Sequence, residues 1–385
     1  MASSHSNKRP TGNRRLLRFF GAALLTAGIV TIVLLFSKEQ SSEAGGGTLG
    51  VTISDSTICA RMGKNICFVS SGCYDLLDAN GQLLVSGALA LESPAISACD
   101  TLAALYDIGG STLRLLQSDG TTTDIVPAGD LISVQVSENA YTAVVSEASG
   151  YRALVSVYDR DGSEIYQWYA SSCWVLSAIV SPDSRQLAVL CLSDGNRDER
   201  GEAIPQATER SEALSESEVK IFSLNAQVQN AAFSVSNTIL IDLRWMSDSS
   251  LCAWSTGQAL FFSDDGTWRS TYDFAGKYLC AVAKKGNGFL CFALSPYRNG
   301  STGTLVSLDR EGNPLGTTNI DSYILALDAV DNRVLLLSSD SVRLYSSALA
   351  ERAKLSTGDR CRGAILRSDG RAILIRALFA ELVKF

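Results

Sequence analysis

The segment VSVYDRDGSEI, residues 155–165, contains an apolar strand, a four-residue turn and the start of a second strand. Glycine and Asp or Asn accept the positive φ that a tight hairpin turn needs, so the letters DRDG predict two antiparallel strands joined directly. Four further turns of the same chemistry follow apolar strands: DANG at 78–81, QSDG at 117–120, SDDG at 263–266 and DREG at 309–312.

The strand and turn unit recurs eight times after residue 48, about every 40 residues, which is the period of a four-stranded propeller blade. Blade 4 would run from Cys173 to Val235, and blade 8 would start at Cys361 and end with only three strands. An extra strand, TLGVTIS at 48–54, precedes blade 1. Its pairing with residues 381–385 would close the ring and cover an exposed strand edge. The sequence therefore predicts an all-β, eight-bladed β-propeller, or seven blades if two weak units merge.

Residues 19–36 (FFGAALLTAGIVTIVLLF) carry no charge and are long enough to cross most of a bilayer core of about 30 Å. Five Lys or Arg residues precede this run, so the positive-inside rule places the N-terminus in the cytoplasm. A cleaved signal peptide is the alternative, but the run exceeds the usual apolar region and no clear cleavage site follows it. The predicted organisation is a basic cytoplasmic tail (1–18), a transmembrane helix (19–36), a flexible linker (37–47) and an extracytoplasmic propeller (48–385).

The charge of the chain narrows the kinds of partner. The net charge is −7 and the isoelectric point is about 5.0, and no basic stripe occurs outside the N-terminal tail, which argues against nucleic acid. The N-terminal helix predicts contact with the lipid bilayer. The expected location is the cell membrane, with a single span and the propeller outside.

Residues 181–189 (SPDSRQLAV) resemble the Ser-Pro-Asp-Gly strand turn of WD40-like and TolB-like propellers. The segment 155–165 is similar to the repeats of quinoprotein-like eight-bladed propellers, which include bacterial envelope scaffolds. The Trp-Asp pair of WD repeats is absent, and the blade-docking tryptophan of quinoproteins occurs only at Trp168, so no quinone or other cofactor is predicted. The layout of anchor and propeller resembles uncharacterised single-span bacterial membrane proteins, a resemblance that implies no activity.

Residue types restrict the chemistry further. The only histidine is His5, in the tail, so the propeller cannot hold a Ser-His-Asp triad, a Cys-His pair or a His-ligated metal. A glycosidase needs only two carboxylates, and the sequence does not single out a pair. Two sets of turn acids could be interpreted as calcium loops, but the same turn recurs where acids are sparse, so we interpret them as turn residues. These sets are Asp159, Asp161 and Glu164, and Asp264 with Asp265.

Ten cysteines in an exported domain raise the question of disulfides. Most lie in apolar strands, where a reduced cysteine behaves as a small buried hydrophobe. If Lys285-Gly286 is the turn, Cys280 and Cys291 face each other across a hairpin at a separation that a disulfide can span. Cys59 with Cys67 is a weaker candidate pair. No spacing matches a redox or zinc motif.

Long connections occur on one rim of the predicted propeller. Residues 194–218 are charged and poor in apolar residues, which predicts a mobile loop, and residues 295–303 form a shorter one. Near these loops we expect side chains of the types that bind protein partners. They are Trp174, Trp254, Tyr278, Tyr297 and Arg298.

The sequence thus predicts a membrane-anchored, extracytoplasmic β-propeller that serves as a protein-binding or scaffold module in the cell envelope and is not an enzyme. Its partner would be an envelope or membrane protein. Two alternatives stay open: a carboxylate-dependent hydrolase of envelope glycans, with two close carboxylates in a central acidic cleft, and a ligand sensor that signals through another membrane protein.

Overall fold

Eight antiparallel sheets follow one another along the chain in the computed structural model, which describes residues 47–193, 216–358 and 361–385. The predicted tail and membrane span, almost all of the predicted linker, and residues 194–215 of the long loop lie outside these ranges. No helix within them is long and apolar enough to cross a membrane.

The first four sheets each contain four strands, paired in chain order. Blade 1 comprises β1 (Ile58–Met62), β2 (Asn65–Val69), β3 (Cys73–Leu77) and β4 (Leu83–Ala88); blade 2 comprises β5 (Pro94–Ala98), β6 (Leu102–Asp107), β7 (Leu113–Gln117) and β8 (Thr122–Ile125). Blade 3 comprises β9 (Leu131–Val136), β10 (Thr142–Ser146), β11 (Ala153–Tyr158) and β12 (Glu164–Ala170); blade 4 comprises β13 (Cys173–Val180), β14 (Gln186–Ser193), β15 (Glu216–Ser223) and β16 (Val228–Val235).

The second half of the ring repeats the pattern, except that the last sheet has three named strands. Blade 5 comprises β17 (Leu240–Ser247), β18 (Ser250–Ser255), β19 (Gln258–Ser263) and β20 (Trp268–Asp273); blade 6 comprises β21 (Tyr278–Gly286), β22 (Phe289–Ser295), β23 (Gly303–Leu308) and β24 (Pro314–Ile320). Blade 7 comprises β25 (Ile324–Val330), β26 (Arg333–Ser338), β27 (Ser341–Ser346) and β28 (Glu351–Ser356); blade 8 comprises β29 (Cys361–Leu366), β30 (Arg371–Arg376) and β31 (Ala380–Lys384). The prediction of eight blades is confirmed.

Burial along the strands explains this arrangement. The middle strands of the blades are covered on both faces by neighbouring blades, and β6, β10, β11 and β22 are buried at every position. The fourth strands β4, β20 and β28 instead alternate between exposed and half-buried residues, as expected of an outer strand with one solvated face. Continuous apolar runs therefore form the middle strands, and alternating sequences form the outer ones.

The hydrophobic core lies between blades rather than within one centre. The described residues form eight buried clusters, and each cluster draws its members from two adjacent blades. The eighth cluster joins blade 8 to blade 1 and includes Leu49, Val51 and Ile53. The ring is therefore closed by the same kind of packing that joins each pair of consecutive blades.

The extra strand before blade 1 supplies the missing fourth position of blade 8, as predicted. Thr48 forms an antiparallel bridge with Glu381, and the amide of Leu49 donates to the carbonyl of Ala380 at 2.8 Å. Within the described residues, the hydrogen bonds of this segment run from the Leu382 amide, which donates to the Gly47 carbonyl at 3.1 Å, back to the Leu378 carbonyl, which accepts from Ile53 at 3.4 Å. The predicted closure is correct in its strands but not in its full register.

Aspartate side chains fix the tight turns. The Oδ1 atom of Asp159 accepts hydrogen bonds from the amides of Asp161 (3.0 Å) and Ser163 (2.9 Å), and Gly162 has φ of 85°. Asp309 caps its own turn in the same way. These carboxylate oxygens therefore stabilise turns. Within the described ranges, no group of three or more His, Cys, Asp or Glu residues is arranged to hold a metal ion.

Candidate functional site

The propeller has two different rims. The tight-turn rim carries the turns from first to second and from third to fourth strands, and most of these span two to five residues. The loop rim carries the connections from second to third strands and between blades. Its longest described connection lies between β22 and β23, at residues 296–302. The candidate partner-binding residues were predicted for the loop rim.

Blade 6 places three of the predicted residues together on the loop rim. Tyr278 begins β21 and is exposed, and Tyr297 in the β22–β23 loop exposes 58% of its surface. The guanidinium carbon of Arg298 lies 5.9 Å from the centre of the Tyr278 ring. Exposed Tyr323, which precedes β25, belongs to the same rim because Ile324 donates to the Gly300 carbonyl at 3.2 Å. We call Tyr278, Tyr297, Arg298 and Tyr323 the blade 6 patch.

A second group of exposed aromatic residues lies on the loop rim between blades 3 and 4. Trp174, near the start of β13, exposes 50% of its surface, and the guanidinium carbon of Arg152 lies 4.3 Å from its ring centre. The rings of Tyr151 and Tyr169 are 4.7 Å apart. We call Tyr151, Arg152, Tyr169 and Trp174 the blade 3–4 patch. The sequence prediction included Trp174 but missed the other three, although all lie at the strand ends that meet this rim.

Trp254 does not lie on the rim surface. It is in β18, the second strand of blade 5, and only 1% of its surface is exposed. Its ring packs edge-on against Phe292 of blade 6, with ring centres 6.1 Å apart. The prediction for Trp254 was wrong because a second strand is covered by the neighbouring blade. This tryptophan stabilises the interface between blades 5 and 6.

The predicted pairing of Cys280 with Cys291 is also wrong. Cys291 stands opposite Ala283 in the register, and a β-bulge between Leu279 and Ala281 displaces Cys280 from the ladder. All ten cysteines are free; Cys280 is exposed, whereas Cys291 is buried in the interface between blades 6 and 7. Burial raises the pKa of the Cys291 thiol.

The weaker pair of Cys59 and Cys67 fails for a different reason. Cys59 faces the interface between blades 8 and 1, and Cys67 faces the interface between blades 1 and 2. The two side chains therefore point to opposite faces of the same sheet. Burial raises the pKa of Cys59 to about 12, which makes it an unreactive thiol.

A cavity of about 360 Å³ lies at the end of the propeller opposite the loop rim. Each of the eight blades contributes to its wall, from the end of its first strand or from the turn that follows. The cavity is therefore the mouth of the central channel on the tight-turn rim, and we call it the channel-mouth cavity. The sequence prediction missed it. The available signal was four cations in the second halves of first strands: Arg61, Arg244, Lys284 and Lys285.

Two arginines each connect three blades around this cavity. Arg61 of blade 1 donates to the carbonyl of Leu366 at 2.6 Å and lies 3.5 Å from the carboxylate of Asp328 in blade 7. Arg244 of blade 5 donates to the Gly286 carbonyl at 3.0 Å and lies 3.6 Å from the carboxylate of Glu138 in blade 3. Burial lowers the pKa of Arg244. These contacts stabilise the wall of the channel.

Lys285 crosses the channel mouth. It belongs to blade 6, and its ammonium group donates to the carbonyl of Ala98 in blade 2 at 2.7 Å. The two blades are four apart in a ring of eight, so the side chain spans the channel. Surrounding protein atoms and the positive charge of Arg61 lower the pKa of Lys285 to about 8, although the carboxylate of Asp328 opposes this shift. Solvent still reaches the side chain through the cavity.

One protein-family model matches part of the chain. Residues 46–198, which include blades 1 to 3 and the first half of blade 4, match the model of a family described as "Family of unknown function (DUF5711)". No curated protein sequence matches the chain.

Several solved propellers are similar in structure. BamB from Moraxella catarrhalis has 12% sequence identity and a TM-score of 0.54, over 88% of this chain and 99% of that chain. Sqt1 from Saccharomyces cerevisiae has 8% identity and a TM-score of 0.58, over 88% and 99%. The C-terminal WD40 domain of Sif2 has 9% identity and a TM-score of 0.58, over 89% and 99%. At these identities the similarity extends to the fold alone, and the predicted resemblance to WD40-like propellers is confirmed.

Proposed function

We propose that this chain is a membrane-anchored, extracytoplasmic β-propeller that binds a protein partner in the cell envelope through its loop rim. The observation that carries the proposal is the blade 6 patch, in which three exposed tyrosines share the loop rim with Arg298, whose guanidinium carbon lies 5.9 Å from the centre of the Tyr278 ring. Tyrosine, tryptophan and arginine are the residue types that dominate binding energy at protein interfaces. The blade 3–4 patch gives the same rim a second group of this composition.

The exposure of these rings supports an interface rather than packing within the fold. Tyr297 and Trp174 each expose half or more of their surface, whereas Trp254 shows how an aromatic residue that serves the fold is covered. An aromatic ring buries a large apolar area when a partner covers it, and its polar end can still form a hydrogen bond at the rim. The cost of ordering such a side chain is small, since it has few rotatable bonds.

The path of the chain is compatible with a partner on the loop rim. The carbonyl of Gly47 accepts from Leu382 near the end of β31, and this strand runs from the loop rim toward the tight-turn rim. Gly47 therefore lies at the tight-turn rim, and the loop rim is at the opposite end of the propeller. We propose that the envelope protein binds this opposite rim.

We propose binding without catalysis. The hydrolase alternative requires a central acidic cleft, but the channel-mouth cavity is lined by as many Lys and Arg as Asp and Glu residues. Three of the four lining carboxylates, those of Glu138, Asp242 and Asp331, form ion pairs with Arg or Lys. A carboxylate held in this way is poorly placed to donate a proton to a glycosidic oxygen.

A pull-down with matched variants tests the proposal. The double variant Tyr297→Ala/Arg298→Ala removes the centre of the blade 6 patch, and the matched control Trp268→Ala/Arg269→Ala removes an exposed aromatic residue and the arginine that follows it near the tight-turn rim. We expect the first variant to lose a protein that the unaltered chain and the control both capture from native membranes. Equal capture by both variants would contradict the assignment to the blade 6 patch.

A further inference from the structure

All but two of the described charged residues that line the channel-mouth cavity form ion pairs. Arg61, Arg244 and Lys284 form ion pairs with Asp328, Glu138 and Asp242, and Asp331 pairs with Arg333. Among the described residues that line the cavity, this leaves one cation and one carboxylate without an ion pair. They are Lys285 and Asp100.

These two groups lie on the same side of the cavity. The ammonium of Lys285 reaches the carbonyl of Ala98 at 2.7 Å, and Asp100 follows two residues later, in the turn between β5 and β6. The Asp100 carboxylate is near enough to act electrostatically on Lys285. It forms no ion pair within the described ranges and is exposed to solvent. A positive and a negative group thus line the same cavity, which is open to solvent at the channel mouth.

We propose that the channel-mouth cavity binds a small zwitterion, an amino acid or short peptide, whose carboxylate is held by Lys285 and whose ammonium group is held by Asp100. This site is separate from the loop rim of the proposed function and does not depend on it. The volume of about 360 Å³ is at the small end of ligand cavities, which span about 300–1,000 Å³.

The hydrogen-bonding capacity of the wall suits such a ligand. The ammonium of Lys285 has three donors, and the Ala98 carbonyl takes one, so two remain for a carboxylate. The Ser97 hydroxyl oxygen accepts from the Val136 amide at 2.9 Å, which leaves its own hydrogen available to the cavity. A simple anion would be attracted by Lys285 but repelled by Asp100. A simple cation would be attracted by Asp100 but repelled by Lys285. A zwitterion satisfies both groups.

Binding should depend on pH. The pKa of Lys285 in the unliganded protein is about 8, so the ammonium that holds the carboxylate is mostly present at pH 7 and mostly lost by pH 9. The charged and titratable groups that face Lys285 are Arg61, Asp328, Cys99 and Asp100. Affinity is therefore expected to fall as the pH rises through 8.

The test uses the full-length protein and the twenty common L-amino acids as separate probes, with binding measured by calorimetry at pH 7. The strongest binder is then compared with its deaminated and its decarboxylated analogues, each of which keeps the side chain and one charge. We expect both analogues to bind at least about tenfold more weakly, since each lacks one of the two charge-assisted interactions.

Two variants assign the groups. Lys285→Met and Asp100→Asn should each weaken binding of the amino acid by about tenfold or more, whereas Lys64→Met and Asp119→Asn, which alter exposed turn residues outside the cavity, should leave it unchanged. Thermal unfolding establishes that each variant is folded, and Asp100→Asn carries the test alone if Lys285→Met does not fold. The absence of binding by any amino acid, equal binding of the deaminated analogue, or binding that survives both variants would overturn the proposal. Loss of the blade 6 patch should not alter any of these results.

Discussion

Thr48 pairs with Glu381 in an antiparallel bridge, so the segment before β1 lies along the outer edge of the last blade. The strand also contributes buried side chains to both neighbouring blades through Leu49, Val51 and Ile53. Closure by a segment from the other end of the chain joins the two ends of the ring and covers the strand edge that a three-stranded blade 8 would expose. The first and last blades should therefore unfold together.

Substitution of the closing strand tests this coupling. Ile53 is 3% exposed, and Ile53→Ala is expected to lower the free energy of unfolding by about 2–5 kcal/mol because it leaves a cavity between blades 8 and 1. Thr52→Ala, one residue away on the exposed face of the same strand, should change it by less than about 0.5 kcal/mol. Urea unfolding of the purified proteins measures both. Similar midpoints for the two variants would mean that the strand does not close the ring.

Two ion pairs of blade 7 should differ in energy because they differ in burial. Arg61 is buried against Asp328, so Asp328→Ala leaves a buried guanidinium without its counterion and should cost about 3 kcal/mol. Asp331 pairs with Arg333 at 3.3 Å on an exposed turn, and Asp331→Ala should cost less than about 1 kcal/mol. The comparison is made by urea unfolding at pH 7. Equal losses would contradict the role assigned to Arg61 in joining blades 1, 7 and 8.

Two tryptophans should separate stability from binding. Trp254→Ala is expected to lower the free energy of unfolding by about 3–5 kcal/mol, because it empties part of the interface between blades 5 and 6. Trp174→Ala should change it by less than about 1 kcal/mol but reduce capture of the partner. Thermal unfolding and pull-down are measured on the same preparations. A large loss of stability for Trp174→Ala would show that this ring belongs to the fold.

Lys285 should make stability depend on pH in a defined direction. Its pKa falls from the ordinary 10.5 to about 8 on folding, so the protonated amine favours the unfolded chain. The lowered pKa reduces the free energy of unfolding by its full amount below pH 8, and this reduction disappears as the pH rises from about 8 to 10.5. The free energy of unfolding of Lys285→Met is compared with that of the unaltered protein at pH 7 and at pH 10. We expect the difference between them to favour the variant more at pH 7 than at pH 10. A difference that is the same at both pH values would contradict the lowered pKa.

The blades could be predicted from the sequence because their determinants are local. The turn at 159–162 contains its own capping carboxylate and its own glycine with positive φ, and neither depends on the rest of the fold. The missing fourth strand of blade 8 and the surplus strand before blade 1 indicated closure in the same direct way. Long-range packing decided only the register, in which the amide of Ile53 bonds to the carbonyl of Leu378.

The features that the sequence did not predict depend on neighbouring blades. Trp254 belongs to a residue type that is common at protein interfaces, which is why the sequence placed it on the rim. Only the position of Phe292 in blade 6 shows that its ring is covered. Ala283, and not Cys280, stands opposite Cys291, and the register depends on a β-bulge between Leu279 and Ala281. The channel-mouth cavity requires the ends of eight first strands, which are distributed along the whole propeller and meet only when the ring closes.

Position-specific photo-crosslinking tests the central claim most directly. A photoreactive phenylalanine analogue replaces Tyr297 in the blade 6 patch or, as a control, Trp268 near the tight-turn rim, and each protein is irradiated in its native membrane. We expect one specific protein adduct from position 297 and none from position 268. An adduct from position 268 alone, or no protein adduct from either position, would contradict the proposal that the loop rim binds a protein partner.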